Sequence, residues 1–279
     1  MDYKNRIEKT FTDLKKENKK ALIPFITGGY PDYRTFIELF FRLENLGSDI
    51  IEIGMPFSDP LADGPVIQHS SKISLEKGFN THLLFKSIKE IREKTEIPIA
   101  VMTYFNIIYS FGIESFLFEA ENSRIDGLII PDLPLEEFLR YKSFFSGSKS
   151  SIANIMLATL STDNTKIRQI SGYCSGFLYC VLLKGVTGAK NEINSGTLNF
   201  LERVRDNSTL PLAVGFGMSD TSQVEKVKDY CDGVIIGSRI ISLMEDNIKE
   251  ETILKKNRVN FNKAFTGIEN FMNDVRAAL

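Results

Sequence analysis

Residues 21–31 read Ala-Leu-Ile-Pro-Phe-Ile-Thr-Gly-Gly-Tyr-Pro, an apolar run that ends in a glycine turn and a proline. The run has the length and β-branched character of a buried strand. The turn at its end decides between two architectures. An open doubly wound sheet carries a G-x-G-x-x-G turn after its first strand, and Thr27-Gly28-Gly29-Tyr30-Pro31 lacks that fingerprint. Elsewhere along the chain, similar runs begin near Asp49 (DIIEIGM), Ile97 (IPIAVMTY), Asp126 (DGLIIPD), Ser151 (SIANIML), Gly176 (GFLYCVL), Pro211 (PLAVG) and Asp232 (DGVIIG). With the first they make eight, and residues 21 to 232 cover 211 positions in seven intervals, about 30 each, the size of a βαβ step. Eight such units predict closure into a (β/α)8 barrel of the TIM type, one α/β domain over residues 1–279.

The connecting segments read as amphipathic helices. Asp32 is an N-cap before a stripe of Phe36, Leu39, Phe40 and Leu43, with Gly47 at the C-terminal end. The 48 residues between the second and third runs leave room for an extra helix from Val66 to Lys77, before a crossover helix over His82–Lys94. Ile7, Phe11 and Leu14 mark an N-terminal helix, and Val259, Phe261, Phe265, Ile268 and Phe271 mark a last one from about Lys255. The barrel thus has extra N-terminal, inter-strand and C-terminal helices.

Composition excludes several function classes. Lys plus Arg is 34 against Asp plus Glu at 36, so no basic field exists to gather nucleic acid or an anionic membrane. Cys174, Cys180 and Cys231 are an odd number without C-x-x-C spacing, which fits a reducing, cytoplasmic setting. Two histidines, His69 and His82, cannot build a three-histidine zinc site, and no metal is expected. The N-terminus lacks the apolar core of a signal peptide, and the longest apolar runs are far too short to span a membrane.

In a barrel the chemistry belongs to loops at the C-terminal strand ends. Glu52 sits among Ile50, Ile51 and Ile53, where burial raises a carboxyl toward the range in which it both gives and accepts a proton. The alternative is an interior carboxylate paired with a polar group of the first or third strand. The loop Pro56-Phe57-Ser58-Asp59-Pro60-Leu61-Ala62-Asp63-Gly64-Pro65 is stiffened by three prolines and brings Asp63 within folding-back distance of Glu52. An Asx-turn before Gly64 is the other role open to Asp63, and a solvated turn position the other role of Asp59. Turns at Gly185-Val186-Thr187-Gly188, Gly215-Phe216-Gly217 and Gly237-Ser238 come after the last three runs and make an anion cradle of freed backbone amides, which implies a phosphorylated substrate. Phe25, Tyr104, Tyr179 and Phe216 could wall an apolar pocket, or serve only as core. The segment Tyr104–Gly112 is unusually apolar for a connector, so it is either an exposed interaction patch or a short buried helix.

Pro24-Phe25, the Thr27–Pro31 turn, Glu52-Ile53-Gly54, PFSDPLADGP and the three glycine turns occur in the order found in the tryptophan synthase alpha chain family, which the chain resembles from end to end. The resemblance implies retro-aldol cleavage of indole-3-glycerol phosphate to indole and glyceraldehyde 3-phosphate. Indole would pass to a beta chain, in an alpha2beta2 heterotetramer, for tryptophan synthesis from serine. It further implies Glu52 and Asp63 as catalytic residues. Substrate would meet Phe25, Tyr104, Tyr179, Thr187, Gly188, Phe216, Gly217, Gly237 and Ser238. The beta chain would meet Pro56, Phe57, Ser58, Asp59, Asn106, Asp132 and Pro134. This chain needs no cofactor, and pyridoxal phosphate is expected in the beta chain. Leu183 stands where many relatives carry arginine. Two rival readings are a Schiff-base aldolase using Lys184 and a non-catalytic regulatory subunit of a partner enzyme.

Overall fold

The computed structural model of the chain describes residues 5–145, 151–182, 193–215, 217–218, 220–253 and 261–279. Strands β1 (Ala21–Thr27), β2 (Ile51–Gly54), β3 (Ile99–Met102), β4 (Gly127–Ile129), β5 (Ala153–Ile155), β6 (Leu157–Thr159), β7 (Leu178–Val181), β8 (Leu212–Gly215) and β9 (Gly233–Ile236) are all parallel, in the order β5-β4-β3-β2-β1-β9-β8-β7-β6. Helices α1 (Arg6–Lys16), α2 (Tyr33–Asn45), α3 (Pro65–Glu76), α4 (Thr81–Arg92), α5 (Phe105–Phe111), α6 (Ile113–Asn122), α7 (Leu135–Phe145), α8 (Asn164–Ser171), α9 (Ser195–Asn207), α10 (Thr221–Val227), α11 (Ser238–Ile253) and α12 (Asn262–Ala278) surround them.

Eight apolar runs thus yield nine strands, because the fifth run divides at Met156. Its first half pairs with β4 and its second with β7, so the two ends of the ladder are joined by one residue and the barrel closes through the chain itself. At the division the Met156 amide donates to Cys174 Sγ at 3.3 Å, while its carbonyl accepts from the Tyr179 amide at 3.0 Å. A change of pairing partner leaves no mark in the apolar pattern of the run.

The helix after β1 starts at the cap read from sequence. Asp32 accepts from the Thr35 amide at 3.0 Å and starts α2. The extra helix predicted over Val66–Lys77 is α3, which carries Pro65 in its first turn. The crossover helix starts one residue before His82, because the Asn80 side chain accepts from the Leu83 amide. The last helix is α12; the expected start at Lys255, and Val259, lie outside the described residues.

The lower end of the barrel is closed by α1. Its buried Ile7 and Phe11 reach the N-terminal ends of the strands: a Cβ on Gly127 would fall 2.9 Å from Ile7 Cδ1, and one on Gly233 would fall 3.4 Å from Phe11 Cε1. Arg6 fastens this helix to buried Asp126, 2.8 Å away, which also pairs with Arg92 at 2.6 Å. The C-terminal strand ends, where the candidate residues lie, form the opposite face.

Candidate active site

Period-two alternation along β2 turns Ile51 and Ile53 to the helix layer and Glu52 into the barrel, level with Phe25 on β1 and Ala100 on β3. Glu52 is fully buried, and neither carboxyl oxygen has a hydrogen-bond partner. The alternative of an interior carboxylate paired with a strand-one or strand-three polar group therefore does not hold. Burial first, and the charge of Asp63 second, push the Glu52 carboxyl up to about 8.

Asp63 reaches the same cavity from the proline loop. Its amide donates to the Pro60 carbonyl at 3.1 Å and Gln68 Nε2 donates to its carbonyl at 2.9 Å, so the loop folds back as a braced turn. The Asp63 side chain is buried, which raises its pKa to about 6, while a hydrogen bond from the Tyr104 hydroxyl pulls the other way. That hydroxyl also accepts from the Ala62 amide at 3.1 Å. Tyr104 is expected from sequence to wall the pocket; its polar end instead braces the acid loop, with Phe57 packed on its ring at a centroid separation of 4.9 Å.

Glu52 and Asp63 open onto one cavity, lined also by Phe25, Ile67, Met102, Tyr179, Gly217, Met218, Ile235, Gly237 and Ser238. Two glycines make room for its aromatic walls. A Cβ on Gly54 would overlap the Phe25 ring, and one on Gly215 would overlap Tyr179. Gly217 has φ +88°, a left-handed value suited to glycine. Gly237 and Ser238 stand at the start of α11 and line the same cavity, which brings a helix N-terminus, where backbone amides have no intrahelical partner, to its wall.

Of the predicted site residues, the cavity therefore collects Glu52, Asp63, Phe25, Tyr179, Gly217, Gly237 and Ser238, with Tyr104 behind Asp63. Lys184, Thr187, Gly188 and Phe216, with Leu183 and Gly185, lie outside the described residues. Ile67, Met102, Met218 and Ile235 also line the cavity and escape a reading of the sequence, because an apolar residue at a strand end has the same pattern whether it meets a ligand or the core. Strand register is the available signal: Met102 stands two residues beyond Ala100, on the face that carries Glu52.

Among the predicted interface residues, Pro56 is buried and Phe57 half-buried, whereas Ser58, Asp59, Asn106, Asp132 and Pro134 are exposed. The apolar connector after β3 is the short helix α5, with Ile108 buried and Tyr109 62% exposed. Asp132, from the loop after β4, caps α5 by accepting from the Phe105 amide at 2.8 Å. Cys174, Cys180 and Cys231 are free and buried.

The model of the tryptophan synthase alpha chain family matches residues 11–269. The alpha chain of Caldanaerobacter subterraneus subsp. tengcongensis is 43% identical over 252 residues, covering 90% of this chain and 95% of that one. The alpha chain of Clostridium kluyveri is 40% identical over 275 residues and covers 99% of both. Among solved structures, tryptophan synthase subunit alpha of Legionella pneumophila superposes with a TM-score of 0.83 at 29% identity, covering 98% of each chain. The tryptophan synthase complex of Pyrococcus furiosus gives 0.79 at 29%, covering 92% of this chain and 98% of that one. A closed barrel with two buried carboxyls facing a helix N-terminus, matched in sequence along almost its whole length, makes this chain a member of the tryptophan synthase alpha chain family.

Proposed function

We propose that the chain cleaves indole-3-glycerol phosphate to indole and glyceraldehyde 3-phosphate, with Glu52 as the proton-transferring acid and base and Asp63 as the stabilising carboxylate. The observation that carries this reading is a neutral, unpartnered carboxyl beside a more acidic one in a single cavity. Indole fits among Phe25, Met102, Tyr179 and Ile235, and the phosphate fits the amides at Gly217, Gly237 and Ser238. Glu52, protonated, delivers its proton to carbon 3 of the ring, which becomes cationic. Asp63, ionised, accepts the indole N–H and stabilises that charge. The Glu52 carboxylate then removes the proton from the hydroxyl on the adjacent carbon, and the carbon–carbon electron pair returns to the ring. Indole leaves with the new hydrogen on carbon 3, the triose leaves as an aldehyde, and Glu52 ends protonated as it began.

Alpha chains of this family work with a beta chain. For this chain we place the partner over the exposed Ser58, Asp59, Asn106, Asp132 and Pro134, with Pro56 and Phe57 shaping the loop beneath, in an alpha2beta2 assembly. Pyridoxal phosphate belongs to the beta chain in this reading, and the alpha-chain chemistry runs through no cofactor. Three free, buried cysteines agree with a cytoplasmic setting.

The test is incubation with indole-3-glycerol phosphate, with and without a beta chain, while monitoring indole and triose phosphate. Stoichiometric release of both supports the reading, and the absence of both in either arm overturns it. Borohydride added during turnover separates it from a Schiff-base aldolase: no mass shift is expected, whereas an adduct on Lys184 would establish the rival.

A further inference from the structure

Two helices leave the cavity side by side. α3 begins at Pro65, two residues after Asp63, and α11 begins at Ser238, next to Gly237; the two pack against each other further along. Each helix therefore carries one end of the proposed substrate site at its N-terminus. One turn into α3, His69 Nδ1 lies 3.1 Å from Glu245 Oε1, two turns into α11. Glu245 is only 15% exposed, and Lys249 on its own helix lies 2.7 Å from the same carboxylate oxygen.

Two other polar contacts of α3 run in another direction. Ser70 and Thr27 share a 2.7 Å hydrogen bond between hydroxyls, and Ser74 donates to the Gly28 carbonyl at 2.6 Å, so both fasten α3 to the turn after β1. Tyr30, in that same turn, is close enough to feel the Glu245 charge but its buried hydroxyl makes no hydrogen bond to it. Across the seam between α3 and α11, His69 is the α3 side chain that meets Glu245 among the described residues.

On the proposed reading of the site, on which this inference rests, substrate is held at both ends: the indole N–H at Asp63 and the phosphate at Gly237 and Ser238. A ligand gripped at two points gains from both only when their separation matches its own length. We infer that His69 and Glu245 are positioning residues, whose bridge sets the distance between the Asp63 carboxylate and the phosphate-binding turn of α11.

The test uses His69→Ala and Glu245→Gln in the full chain, with three probes: indole, glycerol 3-phosphate, and 3-(indol-3-yl)propyl phosphate, which joins the two halves without a cleavable bond. Both fragments should bind the variants as they bind the parent, because each touches one helix end. The joined ligand should weaken about two- to five-fold, the scale of a half-exposed polar contact, and KM for indole-3-glycerol phosphate should rise by the same factor. His69→Gln, which keeps a donor, should restore most of the loss. Equal weakening of all three probes points to a merely structural role and overturns the inference, as does unchanged binding of the joined ligand. Asp63→Asn and Ser238→Asp serve as controls, expected to weaken indole and glycerol 3-phosphate respectively. Failure of these controls removes the site reading and the inference together; normal controls with an unaffected joined ligand remove the inference alone.

Discussion

A carboxylic acid enclosed by apolar side chains is inexpensive while neutral and costly once ionised, and Glu52 lives on that difference. The folded chain holds the Glu52 proton up to about pH 8, whereas a carboxyl at its ordinary 4.5 has already released it. Between those values the folded state binds more protons than the unfolded one, so stability falls as pH rises through the window. Glu52→Gln cannot ionise and escapes this loss. Its stability relative to the parent should grow between about pH 5 and 8, by on the order of a few kcal/mol, in melting curves recorded across that range; an offset that does not change with pH would contradict a buried, partnerless carboxyl. The rate carries a second signature. Asp63 is ionised above about 6 and Glu52 protonated below about 8, so kcat/KM should trace a bell with limbs near those values. A rate that keeps climbing past the upper limb would mean that Glu52 starts the reaction ionised. Both carboxyls were legible in the sequence, one as a charge inside a strand of isoleucines and the other as an aspartate in a proline-stiffened loop. The role of the Tyr104 hydroxyl was not, because nothing in the residue order tells an aromatic ring facing ligand from one whose polar end turns back to brace a loop.

Short strands and the turns after them decide how the site is assembled. Gly54 ends β2 directly beneath the Phe25 ring, and its missing side chain is what lets that ring lie across the cavity wall. Gly54→Ala should displace Phe25 and lower stability by about 1–3 kcal/mol, the usual cost of overpacking a filled core, while raising KM more than it changes kcat. Denaturant unfolding and steady-state kinetics check both; an alanine variant with parental stability and KM would show that the ring has room to move. The helix end at Asp32 was readable because a cap is a local hydrogen bond between neighbours in sequence. The cap of α5 was not, since its donor helix and the accepting Asp132 are 27 residues apart. The division of the fifth strand escaped for a related reason. It reflects which neighbours the strand finds on either side, a property of the closed ring and not of the residues in the run.

Across the barrel as a whole, α1 seals one end and the other end gathers residues from β1, β2, β3, β7 and β9 around a single cavity. The count and spacing of the apolar runs were enough to anticipate this arrangement, because a period of about 30 residues leaves each strand a helix to cover it. Near-neutral charge obeys the same logic, with the phosphate assigned to backbone amides instead of a field of lysines. The chain also has no tryptophan, so an indole ligand stands out in fluorescence against tyrosine alone. The proposed reaction turns on proton transfer by one buried carboxyl. The most direct measurement is therefore indole release from indole-3-glycerol phosphate by Glu52→Gln beside the parent, with indole binding monitored by fluorescence to show an intact site. If Glu52 transfers the proton, kcat falls about 10²- to 10⁴-fold with binding retained; turnover close to the parental rate in a folded, ligand-binding variant would contradict that role.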